Sequence, residues 1–332
     1  MNIRDNCIDF IIPWVDGSDP NWVREFNSYC PEDKRILDVG LERYRDNGLL
    51  KYWFRGVEKF APWVRKVHFV TCGQKPEWLN VECPKLNFVK HSDYIPSEYL
   101  PVFSSHPIEL MMHKIPDLAE QIVYFNDDFF LTAPVKKSFF FKDGLPRDAA
   151  VLNAISGGNL GHIVLNDLIQ INKFFPKKLV LKKHLRKYFS FSYSMDFFRT
   201  LCLMPWKHFT GFLDYHFAQP YLKSALRDVW ENCEEKLSDT MKNRFRSDND
   251  VNQYLFRYWQ LCKGQFYPTG LQKERKYMNI ADPITVIIQN IISGKYREIV
   301  LNDAECEDYS ERMQKIVEAF EKILPDKSSF EL

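Results

Sequence analysis

The stretch that decides the fold is residues 7–20, CIDFIIPWVDGSDP. Its first half is a short, largely apolar run, which is typical of a strand buried on both faces of a sheet. Its second half is rich in Asp, Gly, Ser and Pro, which favour turns. The stretch therefore predicts a central strand that ends in a loop, with a helix over residues 22–29 capped near Asp19 or Asn21.

Strand-like and helix-like segments alternate outward from this stretch over the first 150 residues. Further strands are predicted at residues 67–71, 86–89 and 121–125, and helices at 50–60 and 108–115. Such alternation is typical of a mostly parallel sheet with flanking helices, so we expect an α/β, Rossmann-like fold.

Polar clusters follow three of the predicted strands. They are residues 16–19 (DGSD), 71–74 (TCGQ) and 126–128 (NDD). In parallel sheets the ligand site lies beyond the carboxyl ends of the strands. We therefore expect these three loops to converge on one pocket.

The pattern changes after residue 150, and we divide the chain into three parts. Residues 1–150 form the α/β part, and residues 151–210 form a Gly-rich and basic insertion. Residues 211–332 form a mainly helical part that ends in an amphipathic helix over 309–324. Within the insertion, residues 173–187 carry seven Lys or Arg. This stretch suits an anionic membrane surface or a phosphate-rich polymer, or it is a solvated face.

Composition narrows the functional classes. The 332 residues carry a net charge of +1, so no global field attracts nucleic acid. The eight cysteines lie singly, without a CxxC pair, so we expect reduced thiols rather than a zinc site. The polar N-terminus predicts no signal peptide, and no run approaches the ~20 apolar residues of a membrane span. We expect a cytoplasmic protein, at most peripheral at a membrane.

Asp127 and Asp128 are the candidate metal ligands. Carboxylate oxygens at a strand end suit Mg²⁺ or Mn²⁺, which can neutralise a diphosphate and polarise its phosphorus–oxygen bond. The alternative is that the two acids cap the turn after the strand.

The loop after the first strand offers candidate ligand contacts. Trp14 can stack on a base, Asp16 and Asp19 can accept hydroxyl protons, and Gly17 lets the backbone approach a ligand closely. The alternative is an ordinary Asx-turn.

Two further segments have a structural and a functional interpretation. Arg45 can clamp a phosphate, whereas Asp46 or Asn47 can cap the following helix. Glu109 and His113 are four residues apart and would share a helix face, as metal ligands or as a hydrogen-bonded pair.

The second half of the chain offers candidates for phosphoryl transfer. His216 suits a general base, and Arg246 supplies positive charge over phosphoryl oxygens. Asp250 orients a catalytic group or caps a helix. Asn302 and Asp303 follow a predicted strand end and close the pocket or form a short turn.

In order, these segments resemble the Stealth family. The resemblance is carried by IDFIIPWVDGSDP at 8–20, RDNGLLKY at 45–52, APWVRK at 61–66, VTCGQKPEWL at 70–79, FSSHPIE at 103–109 and YFNDDFF at 124–130. Looser matches are His216 with Pro220, RSDND at 246–250 and LND at 301–303.

The resemblance implies a nucleotide-sugar transferase type of fold and a metal-dependent transfer of hexose-1-phosphate. In that reaction a UDP-sugar donates to a hydroxyl of an oligo- or polysaccharide, UMP is released, and a phosphodiester forms, as in capsular or cell-surface polysaccharide synthesis. The donor would contact Trp14, Asp16, Gly17, Asp19, Arg45, Asn47, Gln74, Asn302 and Asp303. Two alternatives stay open: a conventional glycosyltransferase that releases UDP, and a non-catalytic saccharide-binding subunit.

Overall fold

A computed structural model describes residues 7–30, 44, 47–156, 158, 161–304 and 306–332. The strands are β1 Ile8–Pro13, β2 Val67–Thr71, β3 Leu86–Lys90, β4 Gln121–Tyr124, β5 Phe129–Leu131, β6 Phe141–Lys142, β7 Leu145–Asp148, β8 Gln219–Leu222, β9 Tyr267–Pro268, β10 Arg275–Asn279 and β11 Glu298–Asn302. The helices are α1 Pro20–Tyr29, α2 Leu50–Phe60, α3 Ser105–Leu110, α4 Gly161–Phe174, α5 Lys177–Lys183, α6 Leu185–Tyr188, α7 Phe197–Cys202, α8 Lys223–Met241, α9 Tyr254–Lys263, α10 Ile284–Ser293 and α11 Tyr309–Ile323.

The main sheet confirms the predicted α/β fold. Its order is β3-β2-β1-β4-β8, and the first four strands run parallel. Side chains alternate along the buried strand β1: Ile8, Phe10 and Ile12 join one large apolar cluster, and Ile11 joins the other. Both faces of the sheet are therefore covered, as the apolar run predicts.

Strand β8 was not predicted. It pairs antiparallel with β4 at the edge of the sheet, where Pro220 lies opposite Val123. Proline lacks the N–H that a central strand needs, but an edge strand tolerates it. The chain after residue 211 is mainly helical as predicted, and β8 is a strand within that part which the sequence did not indicate.

Helix α3 is also shorter than expected. It covers Ser105–Leu110 instead of residues 108–115, and a separate 3₁₀ turn at Met112–Lys114 follows it. Ser104 caps the helix by accepting a hydrogen bond from the His106 N–H, which explains the earlier start.

The C-terminal part packs back onto the N-terminal part. The α11 ring of Phe320 stacks on Tyr52 of α2, and Glu331 accepts two hydrogen bonds of 2.9 Å from Arg55. Strand β11 pairs with β10 and with β5 in a second, three-stranded sheet. Both large apolar clusters include side chains from either side of residue 150. The parts predicted from sequence therefore share their cores.

No helix within the described ranges is both long and apolar enough to cross a bilayer.

Candidate active site

The segments that follow the parallel strands converge on one cavity of about 280 Å³. Residues 71–74 and 126–128 contribute to it as predicted, whereas the first loop contributes Trp14 and Val15 instead of residues 16–19. Trp14 follows β1, Cys72 follows β2, His91 follows β3, and Asn126 with Asp127 follows β4; all of them line it. Strand β1 has β2 on one side and β4 on the other, so the strand order reverses direction at β1. The cavity lies at this topological switch point, which is the usual ligand site of an open parallel sheet.

The other wall comes from segments far away in the sequence. Ser105, His106 and Glu109 of α3 line it, together with His216 and Arg246. The predicted metal ligand, general base and phosphoryl-binding arginine thus share one cavity.

Asp127 and Asp128 occupy a tight turn and differ in position. The Phe129 N–H donates to the Asn126 carbonyl at 3.2 Å, which closes the turn. Asp127 lines the cavity, whereas the carboxylate of Asp128 lies 3.8 Å from Nε2 of His216. The Asp128 carbonyl accepts a hydrogen bond from the Leu301 N–H, so β11 also holds the turn.

His216 has an unusual backbone conformation. Its φ is +53°, a region that residues other than glycine rarely adopt and that is enriched at functional sites. Its ring makes edge contacts with Phe129 and Tyr277, at centroid distances of 5.0 and 5.8 Å. The side chain is 39% exposed, so a hydroxyl in the cavity can reach it.

Arg246 and Glu109 place opposite charges on the same wall. Nη2 of Arg246 donates to Ser105 Oγ at 3.4 Å. Glu109 accepts hydrogen bonds from the Tyr124 hydroxyl at 3.2 Å and from the Gln253 N–H at 3.3 Å. Burial raises the pKa of the Glu109 carboxyl, and the nearby charges of His106 and Arg246 offset part of that rise.

Asp250 lies behind the wall, fully buried. It contacts Nδ1 of His106 at 2.8 Å and accepts hydrogen bonds from the Ser247 N–H and the Asn243 amide. Asp250 closes a turn before α9 rather than capping a helix, and it contacts a cavity histidine other than His216, so its predicted role in orienting a catalytic group stays a prediction. From the sequence, His106 was not singled out and Glu109 was considered only together with His113, although both His106 and Glu109 lie in the FSSHPIE block that carries the resemblance.

The predicted pairing of Glu109 with His113 is wrong, because α3 ends before His113. The His113 ring instead packs near Trp230, with ring centroids 5.8 Å apart.

The polar side chains of the turn after β1 bond to one another. Asp16 accepts hydrogen bonds from the Ser18 N–H and hydroxyl, and Asp19 caps α1 through the Asn21 N–H. The amide of Gln74 donates to the Asp16 carbonyl and to the Asp19 carboxylate, and it accepts from the Asp16 N–H. The hydrogen bonds that the Asp19 carboxylate accepts lower its pKa, and the bond from Gln74 has the largest effect. The network fixes the loop beside the cavity.

Gly17 is required by the chain itself. Its N–H donates to the Tyr44 carbonyl at 2.7 Å, and a Cβ at this position would lie 2.5 Å from Cβ of Tyr44. A close approach was expected here, and the backbone that approaches is that of Tyr44, which itself lines the cavity.

Asn47, Asn302 and Asp303 lie outside the cavity lining. The Tyr309 hydroxyl donates to Asn47, which ties that segment to α11. Asn302 donates to the Asp303 carbonyl, and Asp303 accepts from the Ala304 N–H in a short turn beside Asp128. Arg45 lies outside the described residues. The ligand contacts predicted for these residues stay predictions.

The donor set suits a hard divalent cation. Mg²⁺ is usually held by one or two carboxylates together with substrate phosphates, and Asp127 with the adjacent Asp128 offers such a pair. Among the described residues no group of three or more His, Cys, Asp or Glu side chains is arranged around a common metal position.

Similarities to known proteins extend over almost the whole chain. Residues 43–148 match Stealth protein CR2, conserved region 2. The chain is 40% identical to the capsular polysaccharide phosphotransferase WcwK of Streptococcus pneumoniae, over 98% of each protein. It is 40% identical to the receptor polysaccharide phosphotransferase WefC of Streptococcus gordonii, over 98% of this chain and 99% of that protein. It is 38% identical to the exopolysaccharide phosphotransferase cps2G of Lactiplantibacillus plantarum, over 98% and 96%.

The solved structure of the glycosyltransferase GlyE from Streptococcus pneumoniae aligns with a TM-score of only 0.25 at 10% identity, over 93% of this chain and 83% of that one. The sequence relatives cover nearly the full length at identities well above 30%, and the matched conserved region contains β2, β3 and β4 with the cavity-lining residues that follow them. The chain belongs to the Stealth family of phosphotransferases.

Proposed function

We propose that this protein transfers hexose-1-phosphate from a UDP-sugar to a hydroxyl of an oligo- or polysaccharide. The acceptor oxygen forms a bond to the sugar-proximal phosphorus, and the bond from that phosphorus to the oxygen bridging the two phosphates breaks. UMP leaves, and a phosphodiester joins the sugar to the acceptor. The anomeric bond of the donor is untouched, so its configuration is retained.

The observation that carries the proposal is the meeting of Asp127, His216 and Arg246 on one cavity at the carboxyl ends of the parallel strands. These side chains come from three distant parts of the sequence. Phosphoryl transfer to a hydroxyl needs a base, positive charge over the phosphoryl oxygens and a means of holding a diphosphate, and His216, Arg246 and Asp127 are chemically suited to these roles.

In this mechanism His216 accepts the proton of the attacking hydroxyl. The Asp128 carboxylate, 3.8 Å from Nε2, is close enough to attract the imidazolium that then forms. Arg246 supplies charge to the phosphoryl oxygens and is positioned through Ser105. A Mg²⁺ or Mn²⁺ ion held by Asp127 and Asp128 would neutralise the diphosphate and polarise the bond that breaks.

Trp14 is suited to a hydrogen bond with the UDP-sugar rather than to the stacking on its base that was predicted above. Its ring is 7% exposed and packs near Phe69, which leaves little ring face for a base. Its indole N–H is buried and has no hydrogen-bond partner among the described residues. Buried donors are normally satisfied, so a bound ligand that accepts this hydrogen bond would complete the site.

The test is product analysis with the purified protein. We expect a panel of UDP-sugars, an oligosaccharide acceptor mixture and Mg²⁺ or Mn²⁺ to yield UMP and a phosphodiester. The isosteric Asp127→Asn variant is the control and should release far less UMP. Release of UDP with a new glycosidic bond would identify a conventional glycosyltransferase, and donor binding without turnover would identify a binding subunit. The predicted membrane contact of residues 173–187 is not needed for this reaction.

A further inference from the structure

Exposed apolar side chains are concentrated in one segment of the chain. Of the sixteen large apolar side chains that the described residues leave exposed, eleven lie between Leu165 and Trp206. Phe191 is 93% exposed and Met195 is 75% exposed. Single exposed apolar residues are ordinary, whereas a group within one short segment usually marks an interaction site. We define the apolar patch as Phe191, Met195, Phe198, Leu201, Met204 and Trp206.

The same segment is strongly basic. Residues 173–207 contain nine Lys or Arg and a single acidic residue, Asp196, in a chain whose net charge is only +1. Two of the lysines are internal: Lys177 donates to the carbonyls of Leu203 and Trp206, and Lys187 donates to two carbonyls after α9. The other seven basic side chains are exposed: Lys173, Lys178, Lys182, Lys183, Arg186, Arg199 and Lys207.

Hydrogen bonds to the rest of the fold hold the segment that carries the apolar patch. Thr200 of α7 is fully buried and accepts a hydrogen bond from the Leu152 N–H at 3.1 Å. The Tyr215 hydroxyl donates to the Asp196 carboxylate at 2.8 Å. Folding therefore holds these apolar side chains outward instead of leaving them on a loose end.

We propose that the apolar patch and its basic rim dock this protein on an anionic lipid bilayer. Short helices that present Phe, Leu and Trp beside Lys and Arg are typical of segments that lie in the membrane interface. The apolar side chains would enter the boundary between headgroups and acyl chains, and the basic side chains would pair with lipid phosphates. Charge complementarity favours an anionic bilayer over a neutral protein surface, because nearly all charges in this segment have one sign.

The proposal goes beyond the basic stretch predicted from sequence. Two lysines of residues 173–187 are used internally, and the apolar side chains that complete the surface come from residues 191–206. Tyr215, which bonds to Asp196 under the patch, is the neighbour of His216. Docking would therefore hold the cavity near the bilayer surface without contributing to the chemistry.

The test is vesicle binding by the purified full-length protein, with neutral phosphatidylcholine vesicles compared with vesicles containing 30% (mol/mol) phosphatidylglycerol. We expect binding to the anionic vesicles that weakens as salt is raised. Lys182→Glu with Lys183→Glu should weaken it more than ten-fold, since each lysine near the surface contributes roughly five-fold. Phe191→Ser with Trp206→Ser should also weaken it more than ten-fold. The matched control is Val286→Ser with Ile292→Ser, two exposed apolar residues of α10, which should bind like the original protein.

Several outcomes overturn the proposal. Equal binding to neutral and anionic vesicles does so, as does binding that the patch variants leave unchanged. A dimer in light scattering that Phe191→Ser with Trp206→Ser converts to a monomer would assign the patch to a second copy of the chain. UMP release from water-soluble donor and acceptor should be the same in all four proteins, which separates this test from that of the proposed reaction.

Discussion

The turn after β1 and the turn after β4 have similar polar sequences, DGSD and NDD, and both follow buried parallel strands at the same edge of the sheet. In the first turn Asp16 and Asp19 are satisfied by Ser18, Asn21 and Gln74. In the second, Asp127 lines the cavity and Asp128 approaches His216. Similar residues at equivalent positions thus shape the loop in one case and lie at the cavity in the other.

The difference follows from what each turn must hold. The first turn leads directly into a helix, and the helix start needs acceptors for its N–H groups, so the carboxylates are used locally. The second turn leads into β5, whose backbone pairs with β11, so this turn has no helix start to cap. Substitutions in the first turn should therefore affect stability, and substitutions around the second should affect turnover.

The largest expected effect is on turnover, for a substitution beside the turn after β4. His216→Ala should lower turnover by roughly 10²–10⁴-fold if His216 is the general base, because the acceptor proton then lacks a positioned base. The free energy of unfolding should change little, since the side chain is 39% exposed. Steady-state UMP release and urea denaturation measure the two quantities. Near-normal turnover would remove His216 from the mechanism.

A smaller effect, on the free energy of unfolding, is expected for a substitution in the turn after β1. Gly17→Ala should lower the free energy of unfolding by about 1–3 kcal/mol, because the new methyl group would lie 2.5 Å from Tyr44 atoms and force them apart. Gly158→Ala is the matched control, since a Cβ there meets nothing within 4 Å, and we expect a change within about 0.5 kcal/mol. Denaturation midpoints measure both. Equal stabilities of the two variants would show that Gly17 is not needed for packing.

The smallest expected effect is on the pH dependence of the free energy of unfolding, and it concerns His91 on the cavity wall. Burial lowers the pKa of His91 to about 4, from 6.5. The unfolded chain therefore binds a proton between pH 6.5 and 4 that the folded chain excludes, and this term lowers the free energy of unfolding as pH falls through that window. Removing it with His91→Leu should reduce the loss of stability between pH 6 and 5 by about 1 kcal/mol.

Denaturation curves at the two pH values measure this effect, with His208→Leu at an exposed position as the control. A pH dependence unchanged by His91→Leu would show that His91 is not held neutral in the fold.

Much of the α/β part could be predicted because its signals are local. The apolar run of β1, the apolar spacing of α2 over Leu50–Phe60 and the cap at Asp19 each depend on residues within one segment. The edge strand β8 could not be predicted in this way, since Pro220 argues against a strand until its place at the edge of the sheet is known. The early start and end of α3 likewise depended on its cap and on the turn that follows.

The candidate site also contains features that local sequence predicts and features that depend on distant residues. Strand-end positions predicted the convergence of the loops and singled out Asp127. Residue type singled out His216 and Arg246, and the resemblance supported both. The contact of His106 with Asp250 joins residues 144 positions apart, and nothing in either segment alone indicates it.

The sequence by itself determined the four parallel strands, the helices α1 and α2, the edge of the sheet where the loops meet and the family to which the chain belongs, because periodicity, turn residues and ordered blocks are properties of short segments. Only the tertiary structure decided which carboxylates face the cavity and which are used by the loop itself. It also decided which apolar side chains of residues 191–206 remain outside the core. Both outcomes depend on what packs against each side chain, and those neighbours come from distant parts of the chain.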